Sequence, residues 1–208
     1  MAKYKILIVE DQSLTRQLYE MVLSKSDEYE IIGSIADAQY AEMYCRKYQV
    51  DAIIMDVVTK NGSSGLDASE RIKRLFPNVK IMMSTSMPEV SFIDRARSIG
   101  IESFYYKNYS DMDVAECLKA TLEGEKIYPE ESPVVKIGLA DSSDFSAREI
   151  EVLRLLMEGE TDRQIADELN LSIETVHTRV KNILSKTGYT TRTKLAVAVR
   201  ESGFIINS

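Results

Sequence analysis

Paired cysteines, clustered histidines and long apolar runs are all missing from this sequence. Cys45 and Cys117 stand alone, without the close pairs of a zinc site or the density of a disulfide scaffold, so both are expected to be reduced, half-buried thiols. The only histidine, His177, has no second imidazole or thiol near it in sequence to share a metal. No stretch approaches the roughly 18 apolar residues of a membrane span. The opening "MAKYKILIVED" also lacks the apolar run ending in small residues that marks an exported chain, so a soluble, cytoplasmic protein is expected. Internal repeats, low-complexity tracts and a Gly-rich phosphate cradle are absent as well.

What is present is enough for a real core. The chain has 208 residues, of which 44% are hydrophobic, a size that suits one large or two small domains. Its net charge of −7 argues at first against nucleic acid, but the charge is unevenly placed. Residues 1–144 carry 17 Lys and Arg against 24 Asp and Glu, whereas residues 145–208 carry 9 of each. Within the second part, residues 175–200 hold Arg179, Lys181, Lys186, Arg192, Lys194 and Arg200 with no acid among them. A local basic face of that kind can meet phosphates when the average charge cannot.

Short apolar runs alternate with longer amphipathic segments over the first part. "KILIV" (5–9), "EIIGSI" (30–35), "AIIM" (52–55), "KIMMS" (80–84) and "SFYY" (103–106) read as buried strands. Each is followed by a helical pattern: "SLTRQLYEMVLSK", "AQYAEMYCRKY", "LDASERIKRLF", "EVSFIDRARSI" and "MDVAECLKATLEG". Five strand-helix units predict an α/β doubly wound parallel sheet covered by helices on both faces. Residues 126–144, with two of the four prolines, read as a linker between a first domain at 1–125 and a second at 145–208. The second domain is predicted to be all-α, with helices near 147–157, 162–169, 173–186 and 192–201.

Polar residues stand at the carboxyl ends of the predicted strands: Glu10 and Asp11, Asp56, Thr85 after Ser84, and Lys107. In a doubly wound sheet those ends converge on one edge, where sites form. Clustered carboxylates repel, and a hard divalent cation bound through oxygen is the usual remedy. A lysine and a hydroxyl beside them suit the remaining oxygens of a phosphoryl group, and a carboxylate can itself be the nucleophile. Each residue alone is more often a turn former, a cap or a solvated charge; the joint arrangement is what points to chemistry.

The chain from Lys5 to Gly124 resembles the receiver domain of bacterial two-component response regulators. The likeness is carried by "ILIVED", "DAIIMD", Ser84-Thr85 and "GIESFYYK", with Lys107 seven residues after Gly100. It implies a flavodoxin-like (βα)5 fold and makes Asp56 the phosphoryl acceptor from a histidine kinase. Asp11, Asp56 and the Val58 carbonyl would be the Mg²⁺ (or Mn²⁺) ligands, with Glu10 as the second acid. Lys107 would pair with the phosphoryl group, Thr85 would be the switch hydroxyl and Phe104 the switch aromatic. Two departures fall in "TKNGSSG": Lys60 replaces a common proline, and the loop glycine, Gly65, comes nine rather than eight residues after the acceptor.

In the second domain, Asp162 is expected to cap a short helix and Ser172 to open the next. Along that next helix Val176, Val180, Ile183 and Leu184 share one face, and His177, Thr178, Lys181 and Ser185 fall largely on another. "REIEVLRLL", "IADELNLS", "TV" and "KNIL" make the segment resemble a LuxR-type helix-turn-helix, and the pair of domains resembles the NarL/FixJ class. The resemblance implies a transcription regulator that binds promoter DNA through His177, Thr178 and Lys181, with Arg163, Thr175 and Arg179 at the phosphate backbone. It also implies a homodimer on activation, with the 192–201 helix as the dimer element. A phosphatase or cofactor-binding enzyme and a regulator working without phosphorylation, its acidic pocket vestigial, are the alternatives.

Overall fold

The computed structural model describes residues 3–108, 110–130 and 132–205. Two compact units divide the chain: residues up to 130 form the first, apart from 87–89, which are grouped with residues from 132 onward in the second.

The first unit is a five-stranded parallel sheet of β1 (Tyr4–Val9), β2 (Tyr29–Ile35), β3 (Ala52–Asp56), β4 (Lys80–Thr85) and β5 (Ser103–Tyr106), in the order β2-β1-β3-β4-β5. Helices α1 (Ser13–Leu23), α2 (Ala41–Lys47), α3 (Gly65–Leu75) and α4 (Val90–Ile99) supply the four crossovers, and α5 (Val114–Glu123) follows β5. The three inner strands are continuous apolar runs because both of their faces are covered. Leu7, Val9, Ile53, Met55, Ile81 and Met83 pack with Ala41, Leu66, Ile72, Ile93 and Ala96. Ile6, Ile8, Ala52, Ile54 and Met82 pack with Tyr19 and Leu23 of α1 and with Val114, Cys117 and Leu118 of α5. The strand order reverses between β1 and β3, so their carboxyl ends open a crevice at the switch point. Glu10 and Asp56 stand there.

Cys45 and Cys117 are both free and buried more fully than expected, and burial pushes each thiol up to about 11. Such thiols are packing groups, not nucleophiles.

The second unit contains α6 (Ala147–Met157), α7 (Asp162–Leu169), α8 (Ile173–Thr187) and α9 (Arg192–Ser202) around a core of Val152, Leu153, Leu156, Ile165, Val176, Ile183, Leu195 and Val199. The four predicted helices lie within a residue of their expected bounds.

The expected linker at 126–144 requires correction. At its start, Ile127 accepts from the Phe104 amide (2.8 Å), and the Tyr128 hydroxyl donates to the Ile101 carbonyl (2.8 Å), which ties both residues to the first unit. Toward its end, β6 (Lys136–Ile137) and β7 (Ala140–Asp141) form a small antiparallel hairpin followed by a 3-10 turn at Ser142–Asp144. Ile137 and Ala140 are buried in the second core, and the Leu139 amide donates to the Thr187 carbonyl (3.0 Å). The hairpin is too short to be stable by itself and exists because the helical core receives its apolar residues.

Gly65 has a different reason for being glycine than a left-handed backbone. A Cβ there would lie 1.8 Å from the Asp56 carbonyl oxygen, because the start of α3 presses against the end of β3. Gly65→Ala is therefore expected to cost about 3 kcal/mol through overpacking against backbone that has nowhere to move. Denaturant unfolding of the purified protein checks this; a midpoint equal to that of the parent would refute the close approach.

Candidate functional sites

The strand register builds an acid row at the sheet edge. Asp56 is the register partner of Ser84, and Glu10 follows Val9, the partner of Met55. Glu10, Asp56 and Ser84 thus stand side by side on three adjacent strands, one step above Ile8, Ile54 and Met82. All three are buried, while Asp11, at the rim, is exposed. Oxygen atoms of Glu10, Asp11 and Asp56 all lie within 4.8 Å of one another. Lys107, just beyond β5, reaches into the row, with Nζ 2.7 Å from Asp56 Oδ2 and 2.5 Å from Glu10 Oε2. The Lys107 amide donates to the Thr85 carbonyl (2.9 Å), so the lysine and the buried Thr85 are held to each other through the backbone. Phe104 is buried and meets Tyr106 edge-on, with ring centroids 5.2 Å apart. The structure brings Glu10, Asp11, Asp56, Thr85 and Lys107 together; Phe104 lies on the far side of β5's end, among the core residues next to α3 and α4.

Two supporting groups were not legible as such in the sequence. Arg16 of α1 donates to the carbonyls of Glu10 (2.7 Å) and Asp11 (3.3 Å), and so fixes the backbone that carries both acids. Tyr19 shares a 2.6 Å hydrogen bond with Ser84 underneath the row.

The unusual loop after Asp56 is closed by an isolated antiparallel bridge between Val58 and Ser64. Thr59 N donates to Ser63 O (3.0 Å) and Gly65 N to Val57 O (2.8 Å). Neither bond uses the Val58 carbonyl. The loop is also fastened to the end of β2: the Ala38 amide donates to Thr59 Oγ1 (2.9 Å), and the Lys60 amide donates to the Ala36 carbonyl (3.0 Å). Asn61 and Gly62 take left-handed conformations, with φ of 62° and 74°. The extra residue is thus absorbed in a hydrogen-bonded turn, and Lys60 makes with its amide a bond that a proline could not make.

In the second unit, α7 is capped by Thr161, whose side chain accepts from the Gln164 amide while Gln164 returns a bond to the Thr161 amide. The expectation that Asp162 caps this helix is therefore corrected by one position. Asp162, freed from capping, accepts from Arg192 (3.0 Å) and lies 3.5 Å from His177 Nδ1. Ser172 caps α8 by accepting from the Thr175 amide (3.1 Å). Val176, Val180 and Ile183 turn into the core, and His177, Thr178, Lys181 and Ser185 are exposed, as is Arg163 of α7. Thr175 and Arg179 are half-buried. Asn182 belongs to the exposed face too, one helical turn from Thr178, and the 3.6-residue period could have found it.

The basic face is smaller than the sequence suggests. Lys186 is paired with Glu149 (2.8 Å) and Arg192 with Asp162 (3.0 Å), so two of its six cations are already matched by acids from other helices. The 192–201 helix is likewise split: Leu195 and Val199 are core, and Val197 is half-exposed.

Comparison with known proteins agrees with these two architectures. Residues 6–119 match the response regulator receiver domain family, and residues 143–199 match the LuxR family of bacterial regulatory proteins. The response regulator protein VraR of Staphylococcus epidermidis is 30% identical over 198 residues, covering 93% of this chain and 94% of that protein. The chain belongs to the two-component response regulators. VraR of Staphylococcus aureus is 29% identical over the same span. Among solved structures, RcsB of Salmonella enterica serovar Typhimurium bound to promoter P1flhDC with a phosphomimetic shares the fold at 22% identity. Its TM-score is 0.63, covering 98% of this chain and all of that one. The response regulator ChrA of a heme-sensing system is similar at a TM-score of 0.51 and 21% identity, covering 99% of this chain and all of that one. The protein is a DNA-binding response regulator of the transcription-controlling type, with a receiver domain and a LuxR-type helix-turn-helix.

The receiver's acid row is short of positive charge. Burial pushes the Asp56 carboxyl up to about 7, the Glu10 carboxylate pushes in the same direction, and the Lys107 ammonium opposes both. Glu10 Oε2, though close to Lys107, makes no hydrogen bond. One ammonium facing two buried carboxylates and a third at the rim is the donor set of an oxygen-loving divalent cation, so these residues fit such an ion.

A consequence for stability follows from the Asp56 shift. Its folded value lies above that of an unfolded aspartate, so the native state holds this proton more tightly and loses stability as pH rises through about 7. Asp56→Asn is expected to raise the melting temperature at pH 8 in a chelator, with a gain that shrinks toward pH 5. Magnesium should stabilise the parent more than the variant. A gain independent of pH would remove the electrostatic account.

Proposed function

We propose that Asp56 accepts a phosphoryl group from a histidine kinase and that this event controls promoter binding by α8. The observation that carries the reading is the acid row itself. A nucleophilic carboxylate, a second buried acid and a lysine meet at the switch point of a receiver fold, with the exposed Asp11 at their rim. In the transfer step, Asp56 Oδ attacks phosphorus as the bond to the kinase imidazole nitrogen breaks, and the imidazole keeps the electron pair. Lys107 Nζ, now between two carboxylates, follows the new charge onto the phosphoryl oxygens. Thr85, tied to Lys107 through the backbone, supplies the hydroxyl that turns toward the same group, and Phe104 is the aromatic that repacks with it.

Glu10, Asp11, Asp56 and the Val58 carbonyl would hold Mg²⁺ or Mn²⁺, which when bound neutralises the charge brought by the phosphoryl group. Asp56 and Lys107 do the rest of the work by placing the attacking oxygen and the compensating cation.

Output passes to α8. His177, Thr178 and Lys181 face the major groove, while Arg163, Thr175 and Arg179 meet phosphates. The protein acts in the cytoplasm as a regulator, not a turnover enzyme. It pairs on DNA through the exposed strip of α9 around Val197; RcsB, which shares the fold, is described as dimers bound to DNA. The receiver occupies 1–125, and the reader occupies 145–208 together with the hairpin that precedes it.

Two experiments test the assignments. Incubation with a phosphorylated kinase should label the parent and leave Asp56→Asn unlabelled; full labelling of that variant would overturn the acceptor assignment. Replacing Lys181 and His177 together by alanine should weaken promoter binding by about 10-fold to 100-fold and flatten its dependence on salt by about one counterion. An unchanged footprint would remove α8 as the reading element.

A further inference from the structure

Asp162, released from capping, reaches from α7 to two other helices of the second unit. Arg192, at the start of α9, donates from one guanidinium nitrogen to Asp162 Oδ1 (3.0 Å) and from another to the Glu160 carbonyl (2.6 Å). Two acceptors at a fixed spacing leave the planar guanidinium little freedom, and through it the carboxylate is held in place. The second oxygen, Oδ2, lies 3.5 Å from Nδ1 of His177 on α8. The Asp162 side chain is 24% exposed and that of His177 75%, so the acid is the sheltered partner and the ring the presented one.

A neutral imidazole carries one ring proton, so one of its nitrogens donates and the other accepts. The group beside one nitrogen decides which is which. A carboxylate oxygen at this distance attracts an N–H and repels a lone pair, so the proton belongs on Nδ1, the reverse of the Nε2–H form that an unrestrained histidine side chain prefers. The distal Nε2 is then a bare acceptor on an exposed ring.

We infer that Asp162 is a positioning residue for base selection: it holds neutral His177 as the Nδ1–H tautomer, so that Nε2 accepts a hydrogen bond from an exocyclic amino group, adenine N6 or cytosine N4, in the major groove. The inference rests on the reading that α8 enters that groove with His177 toward the bases. With the opposite tautomer the same ring would donate and would select the N7 or O6 acceptors of guanine instead. Arg192 serves the same end, because it matches the charge of an acid on a surface that must approach phosphates.

His177 is the only histidine of the chain, so labelling histidine with the heavy nitrogen isotope in the tag-free, full-length protein reports a single imidazole. At about pH 9, above the usual imidazole range, nitrogen NMR is expected to show the proton on Nδ1 in the parent and mostly on Nε2 in Asp162→Ala. A proton on Nε2 in the parent, or a tautomer unchanged in the variant, would overturn the inference; a purely structural role for Asp162 would lower the melting temperature and leave the tautomer alone. Selection from a random duplex pool reads the consequence for DNA. His177→Ala and Asp162→Ala should each lose about fivefold in preference at the same base pair and keep the others, the size of one hydrogen bond. In the parent's preferred duplex, an analogue lacking the amino group at that base pair should weaken binding to a similar extent, and a deazapurine lacking N7 should not. Sensitivity to N7 alone, or a preference that survives Asp162→Ala, would also overturn it. If Asp162→Ala does not fold, the parent's tautomer and the two base analogues decide the matter. A His177→Ala variant with every preference intact would instead remove His177 from base reading, and the base-selecting role with it, whatever the tautomer.

Discussion

Two carboxylates buried side by side against a single ammonium are the constraint around which the first domain is arranged. Lys107 is the ammonium that opposes the burial of Asp56, and it is within reach because β5 ends beside β4 and delivers it there. The neighbouring features follow from holding that group of charges. Arg16 clamps the backbone that bears the acids, Gly65 lets α3 approach the end of β3, and the turn at Thr59–Ser64 is tied to the end of β2. Charge imbalance is what would make the site responsive: under the proposed reading, a cation or a phosphoryl group there would change the electrostatic balance of the edge.

The second domain uses charge in the opposite sense. Its internal ion pairs, Lys186 with Glu149 and Arg192 with Asp162, fasten helices to one another and leave a limited set of groups on the exposed side of α8. The exposed face of α8, with His177, Thr178, Lys181 and Asn182, is polar more than it is strongly basic. Such a face suits base edges as much as phosphates, and Asp162 lies close enough to His177 to influence how the imidazole is presented.

The strands and helices could be read from the chain because apolar runs and 3.6-residue periods are local properties. The acid residues were legible for a similar reason: polar groups at the ends of buried strands have few roles. What escaped was whatever depends on contacts distant in sequence. The segment at 126–144 looks like a linker by its prolines and small polar residues, yet Ile127, Tyr128, Ile137 and Ala140 are each held by one of the two cores. Asp162 reads as a cap, but the reciprocal bonds of Thr161 and Gln164 take that place. The loop at 59–65 differs in length from the usual receiver pattern, and only the bridge between Val58 and Ser64 reveals where the extra residue goes.

The sequence alone determined the alternation of strands and helices, the split into an acidic α/β domain and a neutral helical one, and the residues that meet at the sheet edge, because periodicity and strand-end polarity survive in one dimension. Tertiary structure decided which charges are matched, and that Ser84 stands in register with Asp56 with Tyr19 hydrogen-bonded to it. These depend on register, and register joins residues as far apart as Tyr19, Asp56, Ser84 and Lys107, whose proximity no local pattern records.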